Sequence, residues 1–125
     1  MAKGKTGGAE LKRLVRTIDD EPNINHLDVT PSVLKLSEMG LPAAKAVLGL
    51  LASDDLLTRK RAQRVLEGVV MRRNGWVFGH GYGDPAGRQK TQALIEQNGY
   101  QADSAPGARA KAIEKWRDWL EAQGA

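Results

Sequence analysis

Helix-starting and helix-ending residues divide this chain into short segments and constrain its fold more than any other feature. Thr30-Pro31 and Asp84-Pro85 each place a capping side chain directly before a proline, which suits the first helical position because it lacks an N–H. Gly40 is placed to end a helix in the left-handed conformation. Apolar residues recur at helical spacing between these breaks. No segment shows the alternation of apolar and polar residues that is typical of a β-strand. The sequence therefore predicts an all-α protein.

The predicted helical segments are short and closely connected. Their approximate ranges are 9–18, 31–39, 43–52, 55–73, 85–97 and 105–122, with Ser104 as the expected cap of the last one. Short turns favour antiparallel neighbours. We therefore expect a short antiparallel stack of about five helices, followed by the C-terminal helix over 105–122. Residues 9–125 are expected to form a single domain, and the polar, glycine-rich residues 1–8 a flexible tail.

Composition excludes several classes of site and protein. The 125 residues suit one domain, and the absence of cysteine excludes disulfides, thiolate metal sites and cysteine nucleophiles. No stretch approaches the roughly 18 apolar residues that a membrane span needs. These features fit a cytoplasmic protein without membrane contact.

Several short motifs resemble known nucleotide-binding, metal-binding or catalytic motifs, but none has the residues and spacing that such a site needs. Gly4-Lys5-Thr6 lacks the preceding glycine and strand of a phosphate-binding loop. The spacing of Gly79-His80-Gly81-Tyr82-Gly83 differs from the dinucleotide fingerprint. His26 and His80 are too isolated to indicate a zinc site or a catalytic triad. We therefore predict no catalytic residue, no cofactor and no metal.

The segment 76–83 is rich in glycine and aromatic residues. One interpretation is a long connection in which Trp76, Phe78 and Tyr82 fold back over the core. The alternative is a binding loop, since such loops often combine aromatics with glycine.

Basic residues are concentrated in the segment 59–90, where eight Lys/Arg stand against two acids. Several lie off the apolar stripe of their helix, so an acidic partner could be bound there. The alternative is a solvated face balanced by the acidic segment 17–58. The candidate partner-binding residues are Lys60, Arg61, Arg64, Arg72, Arg73, Trp76, His80 and Arg88.

The segment 30–70 resembles a HEAT repeat and the start of the next. It has a helix ending at Gly40, a second helix led by Pro42, the acidic turn Asp54-Asp55, and then Arg59 near the start of a long helix. The resemblance implies an α-solenoid in which the last helix, carrying Trp116 and Trp119, caps the stack. The alternative architecture is a plain helical bundle. At least one of these tryptophans should be deeply buried.

This resemblance implies a function as well as a fold. HEAT-like stacks expose grooves suited to partner proteins. We therefore expect a non-catalytic scaffold that binds a protein with an acidic surface. The alternative is a nucleic-acid-binding module that uses the basic segment 59–90. A third possibility, an enzyme accessory or a lyase-type HEAT protein, rests on analogy of fold alone.

Overall fold

The computed structural model describes the backbone of residues 2–125 and the side chains of residues 8–125. The described chain is mostly helical, as predicted, with six α-helices, one 3-10 helix and one β-hairpin. The elements are α1 (Ala2–Arg16), α2 (Pro31–Met39), α3 (Leu41–Ala46), the 3-10 helix (Leu48–Ala52), α4 (Leu56–Arg73), β1 (Trp76–Val77), β2 (Gly81–Tyr82), α5 (Pro85–Asn98) and α6 (Pro106–Ala122). Apart from Gly8, the expected tail over residues 1–8 lies outside the residues whose side chains are described.

The predicted helix starts of α2, α4 and α5 are confirmed by their caps. Thr30 Oγ1 accepts the N–H three residues on at 3.1 Å, and Asp55 Oδ2 does the same at 2.8 Å. Asp84 Oδ1 accepts the N–H two residues on at 2.9 Å. Each bond satisfies one of the N–H groups that a helix leaves open at its first turn.

Two predicted helices begin or continue differently. The segment 43–52 is α-helical only as far as Ala46 and then tightens into the 3-10 helix. Ser104 does not cap α6, because Ala105 is the N-cap residue. The carbonyl of Ser104 instead accepts a hydrogen bond from Arg109 Nη1 at 2.5 Å.

The segment 76–83 contains the β-hairpin, which the sequence did not predict. Trp76 pairs with Tyr82 and Val77 with Gly81 in antiparallel register. Gly79 and Gly81 both have positive φ, which glycine adopts without strain. The strands have two residues each, too few for an alternating pattern to show in the sequence.

Helix α4 is the centre of the packing. It lies along α2 and also contacts the 3-10 helix and α5. Helices α2 and α4 approach closely at Gly68, where an added Cβ would lie 2.6 Å from Ser37 Oγ. This glycine therefore allows the two helices to lie side by side.

Helix α6 covers the other side of this core. It contacts α3 and the 3-10 helix, and Trp116 is only 2% exposed there. Trp119 is half-buried and meets Trp116 edge to face, with ring centroids 5.7 Å apart. The prediction that at least one of the two tryptophans is deeply buried is confirmed.

Candidate functional site: a groove along helix α4

Three adjoining hollows lie along the outer face of α4. The polar hollow lies between α4 and the segment 25–28. The apolar groove, of about 290 Å³, lies between α2, α4 and the β-hairpin. The α4–α5 hollow separates those two helices. Glu67 lines all three, so the hollows form one surface, which we call the α4 face.

The apolar groove exposes large hydrophobic side chains. Phe78 is 69% exposed and Leu34 is 43% exposed, while Met71 and Trp76 are half-buried beside them. The interpretation that all three aromatics of the segment 76–83 fold over the core is therefore wrong for Phe78. Its ring instead meets Trp76 edge to face at 6.0 Å. The hairpin thus extends the apolar surface of the groove outward.

Arg72 and Trp76 form the polar edge of the apolar groove. Arg72 Cζ lies 5.2 Å from the centre of the Trp76 ring, a cation–π arrangement. Its Nε is buried without a hydrogen-bond partner. In the described part of the chain, the guanidinium has no carboxylate within ion-pair distance. Its terminal nitrogens can therefore bind a carboxylate or a phosphate group from another molecule.

Lys60 and Arg64 line the polar hollow, as the sequence suggested for a surface patch. Arg64 Nη1 lies 3.3 Å from Asp28 Oδ2, and both side chains are accessible to solvent. Such a surface pair adds little to stability. Arg64 also lines the apolar groove, and so connects the two hollows.

Arg61 is a correction to the predicted set, because its side chain lies inside the protein. The residue is 5% exposed. Its Nε donates to the Leu27 carbonyl at 2.9 Å and its Nη1 to Asp19 Oδ1 at 2.8 Å. Arg61 therefore anchors the segment between α1 and α2 and does not contribute to the α4 face.

Arg59 is also buried, which reduces the exposed charge of the segment 59–90 further. Its Nε donates to the Ala102 carbonyl and its Nη1 to the Ser53 carbonyl, both at 2.8 Å. Two of the eight basic residues in this segment are therefore structural.

The other predicted residues are spread around the hairpin. Arg88 lines the α4–α5 hollow, with Cζ 5.7 Å from the Tyr82 ring centre. His80 is exposed in the hairpin turn, where its N–H donates to the Val77 carbonyl at 2.9 Å. Arg73 points toward the end of α6, where Nη2 lies 3.4 Å from Gln123 Oε1. The structure thus brings Arg64, Arg72 and Trp76 together in the apolar groove, with Lys60 and Arg88 in the two adjoining hollows.

Sequence reasoning missed Leu34 and Glu67 as residues of this surface, and it included Phe78 only through the alternative of a binding loop over the segment 76–83. Met71 could have been predicted from the sequence, because it is an apolar residue that lies off the buried stripe of its helix. Leu34 is an apolar residue like its buried neighbours in α2, but its side chain faces outward because of the way α2 packs on α4. The spacing of apolar residues in α2 alone does not predict which of them stays exposed.

Tyr100 and Asp55, which do not line the α4 face, have pKa values that the fold shifts. Burial raises the pKa of Tyr100, whose hydroxyl donates to the Leu51 carbonyl at 2.7 Å. Hydrogen bonds from Thr58 lower the pKa of Asp55. Among the described residues, no group of three or more potential ligands could hold a metal ion. The α4 face presents cations, the Glu67 carboxylate, aromatic rings and aliphatic side chains.

Within residues 2–125, no helix has the length and apolar character needed to cross a membrane. No protein-family model, curated protein or solved structure matches this chain.

Proposed function

We propose that this chain is a non-catalytic binding module, a short HEAT-like stack that holds a partner protein on its α4 face. The observation that carries the proposal is the apolar groove, where exposed Phe78 and Leu34 lie beside the Arg72–Trp76 pair. Aromatic residues and arginine dominate the energetics of protein interfaces. Contiguous exposed apolar surface also marks interaction sites.

The packing of the helices supports the HEAT-like part of this proposal. Helices α2 and α4 lie side by side, and the α3 and 3-10 segment that connects them packs on α4. Helix α6 covers that connecting segment with buried Trp116. A terminal helix that covers the apolar surface of a stack acts as a cap.

A protein partner is favoured over nucleic acid by the distribution of charge. Arg59 and Arg61 are buried, Arg64 is paired with Asp28, and Glu67 lies at the junction of the three hollows. The exposed basic surface is therefore interrupted by acids. Nucleic-acid binding relies on several cations that neutralise successive phosphates.

Affinity capture from the native cell, compared between variants, tests the proposal. Leu34→Ser with Phe78→Ser removes the apolar groove, while Ile24→Ser with Val77→Ser removes two exposed apolar side chains elsewhere. We expect a protein partner to be lost with the first pair and kept with the second.

Two results would contradict this function. One is a partner that both double variants retain equally. The other is tight binding of duplex DNA that collapses between low and moderate salt, which is the behaviour of phosphate contacts.

A further inference from the structure

The Arg72 guanidinium is held in place before any ligand arrives. Its Cζ lies 5.2 Å from the centre of the Trp76 ring, its Nε is buried, and the Trp76 backbone pairs with that of Tyr82 in the hairpin. A fixed guanidinium loses less conformational freedom on binding than a mobile lysine would. It can also bind a carboxylate through two parallel hydrogen bonds.

Apolar surface lies directly beside this cation. Leu34, Met71 and Phe78 line the same groove as Arg72. A ligand that places a carboxylate on Arg72 therefore has an aliphatic or aromatic neighbour close to these side chains. Burying one such side chain contributes more to binding than a solvated ion pair alone.

Glu67 determines which kind of anion fits. It lines every hollow of the α4 face, and Gln63 Nε2 donates to its Oε2 at 3.0 Å. A nucleic acid carries a charge on every nucleotide and would bring phosphates past this carboxylate. A peptide carries charge only on its acidic or basic residues. Its backbone N–H groups can also donate hydrogen bonds to the Glu67 carboxylate.

The spacing of the cations indicates the length of such a peptide. Lys60 and Arg72 are twelve residues apart on α4, which corresponds to about 18 Å at the helical rise. An extended chain advances about 3.3 Å per residue, so about six residues span the polar hollow and the apolar groove. Arg64 lies between the two ends and lines both hollows.

From this geometry we infer that the ligand of the α4 face is an extended acidic peptide of about six residues, in which a carboxylate on Arg72 adjoins a large apolar side chain seated between Leu34 and Phe78. This inference rests on the proposed function and names the chemical class of its partner.

Selection from a displayed library of random twelve-residue peptides on the full chain tests the inference. We expect enrichment of Asp or Glu next to Leu, Ile, Phe or Trp. A fluorescein-labelled copy of the most enriched peptide then serves as the probe for fluorescence anisotropy. Arg72→Gln should weaken its binding about tenfold or more, whereas the matched control Arg117→Gln on α6 should leave it unchanged.

A double-mutant cycle assigns the contact. Replacing the peptide carboxylate by its amide should weaken binding to the parent chain and have little further effect on Arg72→Gln. Phe78→Ala should weaken binding, and Val77→Ala, which alters an exposed neighbour outside the groove, should not.

Three outcomes would overturn the inference. These are no enriched peptide at micromolar protein, enrichment of basic or uncharged sequences, and tighter binding of a twelve-nucleotide oligothymidine than of any peptide. If one occurs while affinity capture still depends on Leu34 and Phe78, the proposed function stands and the class of ligand is wrong. If capture is also independent of the groove, the proposed function fails as well.

Discussion

Arg61 Nη1 lies 2.8 Å from Asp19 Oδ1, and this ion pair ties the segment after α1 to helix α4. The side chain of Arg61 is buried, whereas that of Asp19 is partly exposed. Thr58 Oγ1 lies 2.8 Å from the other oxygen of Asp19 and 2.9 Å from Asp55 Oδ2, so its single hydrogen is shared between the two carboxylates. The pair therefore holds the irregular segment 17–30 against α4, and we expect it to contribute to the stability of the fold.

Arg61→Ala should destabilise the fold by about 2 kcal/mol, the size of a hydrogen bond to a charged group. Lys60→Ala, at the exposed neighbouring position, should change stability by less than about 0.5 kcal/mol. Urea unfolding of the two variants measures both values. Equal stabilities would mean that the Arg61 contacts contribute nothing to the fold.

The contrast between Thr30 and Arg61 shows what the sequence could predict. Thr30 caps α2 through an N–H three residues away, so its role is local and visible in the order of residues. Arg61 is bonded to groups 34 and 42 residues away, and its helical position alone resembled that of a surface residue. The groove was missed for the same reason, since Leu34 and Phe78 line one groove only after α2 and the hairpin pack on α4.

Trp116 and Trp119 should differ in their effect on stability. Trp116 is buried against the core, so Trp116→Ala should cost about 3–5 kcal/mol. Trp119 is half-buried, and its replacement by alanine should cost clearly less. Chemical denaturation monitored by circular dichroism separates the two. If both variants unfolded like the parent, α6 would not act as a cap.

Gly87 and Gly107 should respond in opposite directions to replacement by alanine. A Cβ at Gly87 would collide with the Asn74 carbonyl oxygen, whereas one at Gly107 would meet nothing within 4 Å. Gly87→Ala should therefore be destabilising, because α5 must move away from the end of α4. Gly107→Ala should be stabilising by about 0.4–1 kcal/mol, because it reduces the freedom of the unfolded chain. The melting temperatures of the two variants provide the comparison. A higher melting temperature for Gly87→Ala would show that Gly87 and the Asn74 carbonyl are not in close contact.

Asp55 should contribute to the loss of stability in acid. The backbone N–H and the hydroxyl of Thr58 donate to its carboxylate and lower its pKa in the folded state. The unfolded state therefore takes up this proton first as the pH falls. The stability that Asp55 supplies is present above its unfolded pKa of about 4 and is lost as the pH drops through the folded value.

Asp55→Asn should remove this part of the acid dependence, since asparagine can still cap the helix. Asp54→Asn, at the adjacent exposed position, is the matched control and should keep the dependence of the parent. Urea midpoints between pH 7 and pH 3 provide the comparison. A parallel acid response in the parent and Asp55→Asn would exclude this role for the carboxylate.

Site-specific photocrosslinking tests most directly whether the α4 face holds a protein partner. A benzophenone side chain in place of Leu34 lies in the apolar groove, and the same side chain in place of exposed Ala110 on α6 is the control. In the native cell we expect a crosslinked protein from position 34, its loss when Phe78→Ala is added, and none from position 110. The same crosslinks from both positions, or none from position 34, would contradict the account.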